Sequence, residues 1–129
     1  MQINYVHNSD YNLAFATGKC TIAYLAFSSE KFFKDLARVS KYTPVPRLSL
    51  MLGIAKCHPE DQYNKKIGRQ VAEENMEPLD LVLTRIYSGS EHYDYFFTCT
   101  TKKGVLAATI RVYKDSSNCR VVGANLVDY

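Results

Sequence analysis

Apolar and polar side chains alternate with a period of two from Arg47 to Lys56. Leu48, Leu50, Leu52 and Ile54 stand on one side, and Ser49, Met51, Gly53 and Ala55 stand on the other. That period belongs to a strand, here one with a strongly apolar face and small groups opposite, placed inside a sheet. Met1 to Val6 alternates in the same way, with Ile3 and Tyr5 set against Gln2 and Asn4, and Cys20 to Phe27 is a short β-rich apolar run. Asn8-Ser9-Asp10 and the break at Gly18-Lys19 have turn chemistry, so the amino terminus reads as a hairpin or meander. Beyond Pro78, Leu79, Leu81 and Leu83 alternate with Asp80, Val82 and Thr84 up to a Ser88-Gly89-Ser90 turn. Three more strands are predicted at Tyr93 to Thr101, Val105 to Tyr113 and Arg120 to Val127. Lys102-Lys103-Gly104 suits a short hairpin loop with glycine at positive φ, and Asp115-Ser116-Ser117-Asn118 suits the next turn.

Two stretches switch to the helical period. Ser28-Ser29-Glu30 offers a cap and a first-turn acid, and Phe32, Phe33, Leu36, Ala37 and Val39 then share one side. This helix of about three turns stops before Thr43-Pro44-Val45-Pro46, because proline lacks the N–H and holds its predecessor extended. Pro59-Glu60-Asp61 reads as the start of a second helix, running to about Met76 with Tyr63, Ile67 and Val71 on its apolar side. Gly68 in that helix allows close approach of a neighbour. The expectation is an α+β fold: a single domain over residues 1–129, mainly antiparallel sheet, with two amphipathic helices packed on one face of it.

Composition narrows the function classes. Of 129 residues, 47% are apolar and 22% charged, with 16 Lys and Arg against 13 Asp and Glu for a net charge of +3. These values fit a globular domain and argue against a disordered tail or a coiled coil. The apolar run near Ile22 to Phe27 is far shorter than the roughly 18 residues a spanning helix needs, so no membrane partner is expected. The first residues do not resemble a secretory signal, which places the chain in the cytoplasm. Cys20, Cys57, Cys99 and Cys119 lack zinc-ribbon or C-x-x-C spacing and read as reduced thiols.

Candidate chemistry is sparse. Cys57 precedes His58 and Pro59 at the expected helix start, where the dipole favours a thiolate, which makes it a weak nucleophile candidate. The structural reading of Cys57, a small residue ending a buried strand, outweighs it. Cys57, His58, His92 and Cys99 match no zinc module, so no metal is expected, and the absence of glycine-rich phosphate loops leaves no cofactor to expect. Asp61 with Lys65, and Arg69 with Glu73, read as i, i+4 ion pairs of a solvated helix face. Ten tyrosines are the oddest feature of the composition. On strands they read first as core packing, and second as a contact surface, since tyrosine offers large area at low entropic cost.

The stretch Ala55-Lys56-Cys57-His58-Pro59-Glu60-Asp61-Gln62-Tyr63-Asn64-Lys65-Lys66-Ile67-Gly68-Arg69-Gln70-Val71-Ala72 resembles a segment of small uncharacterised accessory proteins of tailed bacteriophages. There a strand ends in a charged turn and a helix of the form Asp-x-aromatic-x-Lys-x-x-Gly-Arg follows. The resemblance implies a phage-encoded protein of anti-CRISPR or anti-restriction type, acting in the host cytoplasm and binding and inhibiting or redirecting a host protein, typically a defence component or a polymerase. It assigns no role to Asp61, Lys65, Gly68 or Arg69.

Mixed charge, abundant tyrosine and the lack of catalytic motifs fit a module that occupies a protein surface rather than an enzyme. The residues expected to make contact are Lys65, Lys66 and Arg69 on the second helix, with Tyr87, Tyr93 and Tyr95 around the following turn. The alternative is a nucleic-acid binder, with Tyr93, Tyr95 and Phe97 stacking on bases and Lys102, Lys103 and Arg111 on phosphates. A small enzyme using Cys57 stands third. Edge strands of a small open sheet also allow self-pairing into a homodimer.

Overall fold

The alternating run becomes a strand with the expected bounds, Arg47–Lys56, whose leucines and Ile54 are all buried. The computed structural model describes residues 2–8, 17–18, 20–40, 47–56, 62, 64–115 and 118–127. In chain order the elements are β1 (Ile3–Asn8), β2 (Thr17–Gly18), β3 (Cys20–Leu25), α1 (Ser29–Ser40), β4 (Arg47–Lys56), α2 (Lys65–Glu74), β5 (Glu77–Ser88), β6 (His92–Thr101), β7 (Gly104–Tyr113) and β8 (Cys119–Val127). The fold is α+β and mainly sheet: seven long antiparallel strands plus the two-residue β2, in the order β1-β3-β4-β5-β6-β7-β8-β2. The sheet curls until β1, at one end of that order, comes against β8 near the other.

The curl makes the inner face the core. Ile22 and Tyr24 of β3, the leucines of β4, Leu81 of β5, Phe97 of β6, Ile110 of β7 and Leu126 of β8 form one buried cluster, and Phe32 of α1 fills it. The Phe32 ring is fully buried and meets Tyr95 and Phe97 edge-on, with centroids 4.9 Å and 6.1 Å away. Aromatic pairs favour this geometry, and each adds about 0.5–1.5 kcal/mol beyond area burial. The same core holds the Tyr24 hydroxyl, which accepts from the backbone N–H of Val121 at 3.2 Å and so ties β3 to β8. Ser28 caps α1 as expected, its Oγ accepting from Lys31 N–H at 3.2 Å.

The two helices pack on opposite faces of the sheet, which corrects the expectation of a single covered face. α1 enters the inner core through Phe32, whereas α2 lies on the outer face of β3 and β4 through Ala23, Ala55 and Ala72. Small groups opposite the β4 leucines are what admit α2. A Cβ added at Gly53 falls 1.9 Å from the Ala72 carbonyl oxygen, and one at Gly68 falls 2.4 Å from Thr21 Oγ1.

The start of α2 is also corrected. Asn64, in extended geometry, accepts from the N–H groups of Lys66 and Ile67, so the helix begins at Lys65. The Pro59-Glu60-Asp61 start, like Tyr63, lies outside the described residues. Ile67, expected on the apolar side, is 56% exposed, because Gly68, Val71 and Ala72 face the sheet instead. The β4–β5 pairing ends at Leu52 and Glu77, and beyond it the Ile54 carbonyl accepts from Asn75 Nδ2 at 3.0 Å and from Lys103 Nζ at 2.7 Å. Gly104 closes the β6–β7 hairpin at φ 136°, as its sequence suggested.

Candidate interaction surface

No described helix covers the outer face of β5–β8, and the strand register sorts its side chains into rows. Tyr87 pairs with Asp94, Asp94 with Arg111, and Arg111 with Arg120, which gives one row across four strands. The next row is Arg85, Phe96, Thr109 and Gly123, and the third is Val82, Thr98, Ala107 and Asn125. With strands about 4.8 Å apart, each row spans roughly 14 Å. The second and third rows line a shallow groove of 480 Å³, whose floor is made of the small residues Thr98, Ala107, Thr109 and Gly123.

Two irregularities aim this face. The β5–β6 register shifts between Leu83 and Arg85, and the β7–β8 register shifts at Thr109/Ile110. A bulge adds one residue and reverses which side chains face out beyond it. Leu79, Leu81 and Leu83 point inward, so in a regular strand Arg85 and Tyr87 would point inward too. The shift turns both out and leaves Ile86 on the inner side at 53% exposed. The second shift does the same for Arg120.

The cations on this face have unequal partners. Arg111 grips Asp94 with two parallel bonds, Nε to Oδ1 at 2.9 Å and Nη2 to Oδ2 at 3.2 Å. The Arg111 hydrogen bond, with its charge, holds the buried Asp94 carboxyl below the usual carboxylate range, and His92 Nε2 lies 3.6 Å from the same group. Arg85 instead lies over Phe96, its Cζ 4.5 Å from the ring centre. Arg120 lies over Tyr113 at 5.7 Å and donates to its hydroxyl at 2.9 Å. Among the described residues neither Arg85 nor Arg120 has a carboxylate partner. Tyr87, 58% exposed, completes the row.

The six residues expected to make contact are not brought together. Lys65 and Lys66 are exposed at the start of α2, while Arg69 lies half-buried with its Cζ 5.9 Å from the Tyr5 ring. Glu73, the expected partner of Arg69, accepts from the Tyr5 hydroxyl instead. His7 stacks beside Tyr5 and its Nδ1 lies 3.0 Å from Thr21 Oγ1, so this corner fastens α2 to β1 and β3. Burial, with the nearby charges of Lys65 and Arg69, pushes the His7 pKa down. Tyr87 lies ten residues along β5 from the end that approaches α2, roughly 33 Å of extended chain.

Tyr95 is corrected from contact surface to core, at 9% exposed, and Tyr93 is half-buried under the Lys114 ammonium at 4.6 Å. The stacking platform drawn from Tyr93, Tyr95, Phe97 and Arg111 does not assemble, since the three rings face inward and Arg111 faces outward. Lys102 and Lys103 sit at the far hairpin, where Lys103 lies at the rim of a 320 Å³ cavity with Leu52, Ile54 and Met76. Burial lowers the Lys103 pKa.

Cys57 and His58 lie outside the described residues, and His92 and Cys99 project from opposite faces of β6. Burial raises the thiol pKa of Cys20 to about 11 and of Cys119 to about 12, which keeps both protonated at neutral pH. Among the described residues no three His, Cys, Asp or Glu side chains gather as a metal site, and no described helix is long and apolar enough to cross a membrane. The sequence reading passed over Arg85, Phe96, Tyr113 and Arg120. The parity of Phe96 against the buried Phe97 was available as a signal for one of them. Comparison with protein-family models, curated proteins and solved structures finds no match.

Proposed function

We propose that this chain is a protein-binding module that works by occupying a partner's surface with the outer face of β5–β8. In keeping with the phage-like segment at Ala55 to Ala72, its partner is a host protein that it inhibits or redirects, such as a bacterial defence component. The observation that carries the reading is the row Tyr87, Asp94–Arg111 and Arg120, which no described helix covers, backed by the Arg85–Phe96 stack. Tyrosine and arginine dominate the energetic centres of protein interfaces, where a rigid ring and a planar guanidinium bury area at low entropic cost. The Arg111–Asp94 pair presets one guanidinium, and the small-residue floor beside it leaves room for a partner's side chains.

This reading moves the contact away from α2, whose Arg69 is engaged with Tyr5, and keeps Tyr87 of the residues first expected. Affinity capture from bacterial lysate, at low and high salt and with nuclease, tests it when run beside a Tyr87→Ala/Arg85→Glu variant and a Lys65→Glu/Lys66→Glu variant. The expected result is a stoichiometric protein that survives salt and nuclease and is lost only with the first variant. Equal capture by the first variant refutes the assignment of the face.

A second reading rests on the same stacks, because guanidinium planes on an open antiparallel sheet also receive unpaired bases. Recovery of material sensitive to both nuclease and salt would favour it.

A further inference from the structure

We infer that the outer face of β5–β8 recognises an acidic protein segment, whose carboxylates pair with Arg85 and Arg120. The inference rests on the proposed binding role and adds the chemistry of the partner. Three guanidiniums stand in two adjacent rows, and the single carboxylate among them, Asp94, is taken by Arg111. That leaves Arg85 and Arg120 as charges balanced by no described acid, each set over a ring, Arg120 also through its Nη2 bond to the Tyr113 hydroxyl, and so positioned before any partner arrives. A planar guanidinium with free edges matches a carboxylate in a two-bond fork.

The backbone itself is arranged to present this pair. In regular strands both arginines would point into the core, and one register shift in each strand turns them outward. Bulges that re-aim a side chain in this way concentrate at functional surfaces. Three strand spacings and one row separate the two arginines, roughly 16 Å. Two acidic positions about five residues apart in an extended segment cover that distance, and the groove of 480 Å³ lies on the path between them.

A nucleic-acid strand fits this pattern less well. Backbone recognition of a polyanion needs a continuous run of cations, whereas this face offers two uncompensated ones. The ring faces of Phe96 and Tyr113 are already taken by guanidiniums, which leaves Tyr87 as the one well-exposed aromatic ring on the face among the described residues.

The test is fluorescence anisotropy at low ionic strength with two labelled probes: a peptide carrying two glutamate pairs about five residues apart, and a single-stranded oligothymidylate of matched length. Saturable binding of the peptide is expected. It should weaken about tenfold in Arg85→Gln/Arg120→Gln and stay unchanged in Lys65→Gln/Lys66→Gln, with circular dichroism confirming that both variants fold. No saturable peptide binding, equal binding by the arginine variant, or stronger binding of the oligothymidylate would each overturn the inference. Those failures leave the capture experiment free to succeed through Tyr87, so the two claims stand or fall separately.

Discussion

Replacing Gly53 by alanine should unseat α2. The added Cβ would lie 1.9 Å from the Ala72 carbonyl oxygen, 2.8 Å from Met76 N and 3.0 Å from the Ala72 carbonyl carbon. Non-bonded heavy atoms settle near 3.5 Å, so the end of the helix would have to retreat by roughly 1.5 Å. The obstacles are backbone atoms, which cannot swing aside as a flexible side chain would. Overpacking costs about 1–3 kcal/mol in general, and this geometry belongs at the upper end. The lower entropy of the unfolded alanine chain returns about 0.5–1 kcal/mol. The net loss is about 2 kcal/mol, and at roughly 4 °C per kcal/mol for a domain of this size the midpoint should fall by about 8 °C.

Far-UV circular dichroism melts and urea titrations measure that shift directly. Gly123→Ala is the control, since a Cβ there meets nothing within 4 Å. It should melt within about 2 °C of the parent, because the added methyl overlaps no atom and leaves the packing unchanged. A Gly53→Ala protein that melts with the parent, or a Gly123→Ala protein that falls as far, would refute the claim that backbone contact at Ala72 sets the depth of the helix.

Two further substitutions probe the joints of the sheet. Tyr24→Phe removes the acceptor of the buried Val121 N–H and should cost about 1–3 kcal/mol, read as a lower urea midpoint at unchanged slope. An unchanged midpoint would mean that N–H finds another partner. His7 titrates below its free value in the folded protein because of burial and the charges of Lys65 and Arg69. The unfolded chain therefore binds that proton more readily, so the histidine's contribution is complete above about pH 6.5 and is lost as the pH falls toward its lowered pKa. Urea midpoints between pH 5 and 8 should show that decline, and His7→Asn should flatten it. An identical slope in the variant would locate the effect elsewhere.

The elements were legible in the sequence because each is written by short-range chemistry. The leucines of β4, the Ser28 cap and Gly104 at the hairpin act within a few residues, so a local reading reaches them. The choice of face for α2 was less visible, although Ala23, Gly53 and Ala55 encode it: small outward residues let a helix backbone approach where leucines would hold it off. The proposed contact surface was the least legible part. Tyr87 shares its parity with Leu79, Leu81 and Leu83, and only the shift after Leu83 carries it to the other side. Arg120 depends on β8 in the same way. A bulge is decided by how two strands pair, and a strand read alone holds no record of that pairing.

The same two features explain why no described helix covers one patch of this sheet. Where α2 lies on β3 and β4 the outer residues are Thr21, Ala23, Gly53 and Ala55, a surface that gains little from water and much from a helix packed close. On β5–β8 the register shifts bring Arg85, Tyr87 and Arg120 to the outside. Covering them with a second helix of this chain would strip water from two guanidiniums without a carboxylate to replace it, which is costly. A partner that brings its own carboxylates, as in the interaction proposed above, would remove that penalty, so the charge that repels an internal helix would be the charge that selects an external segment.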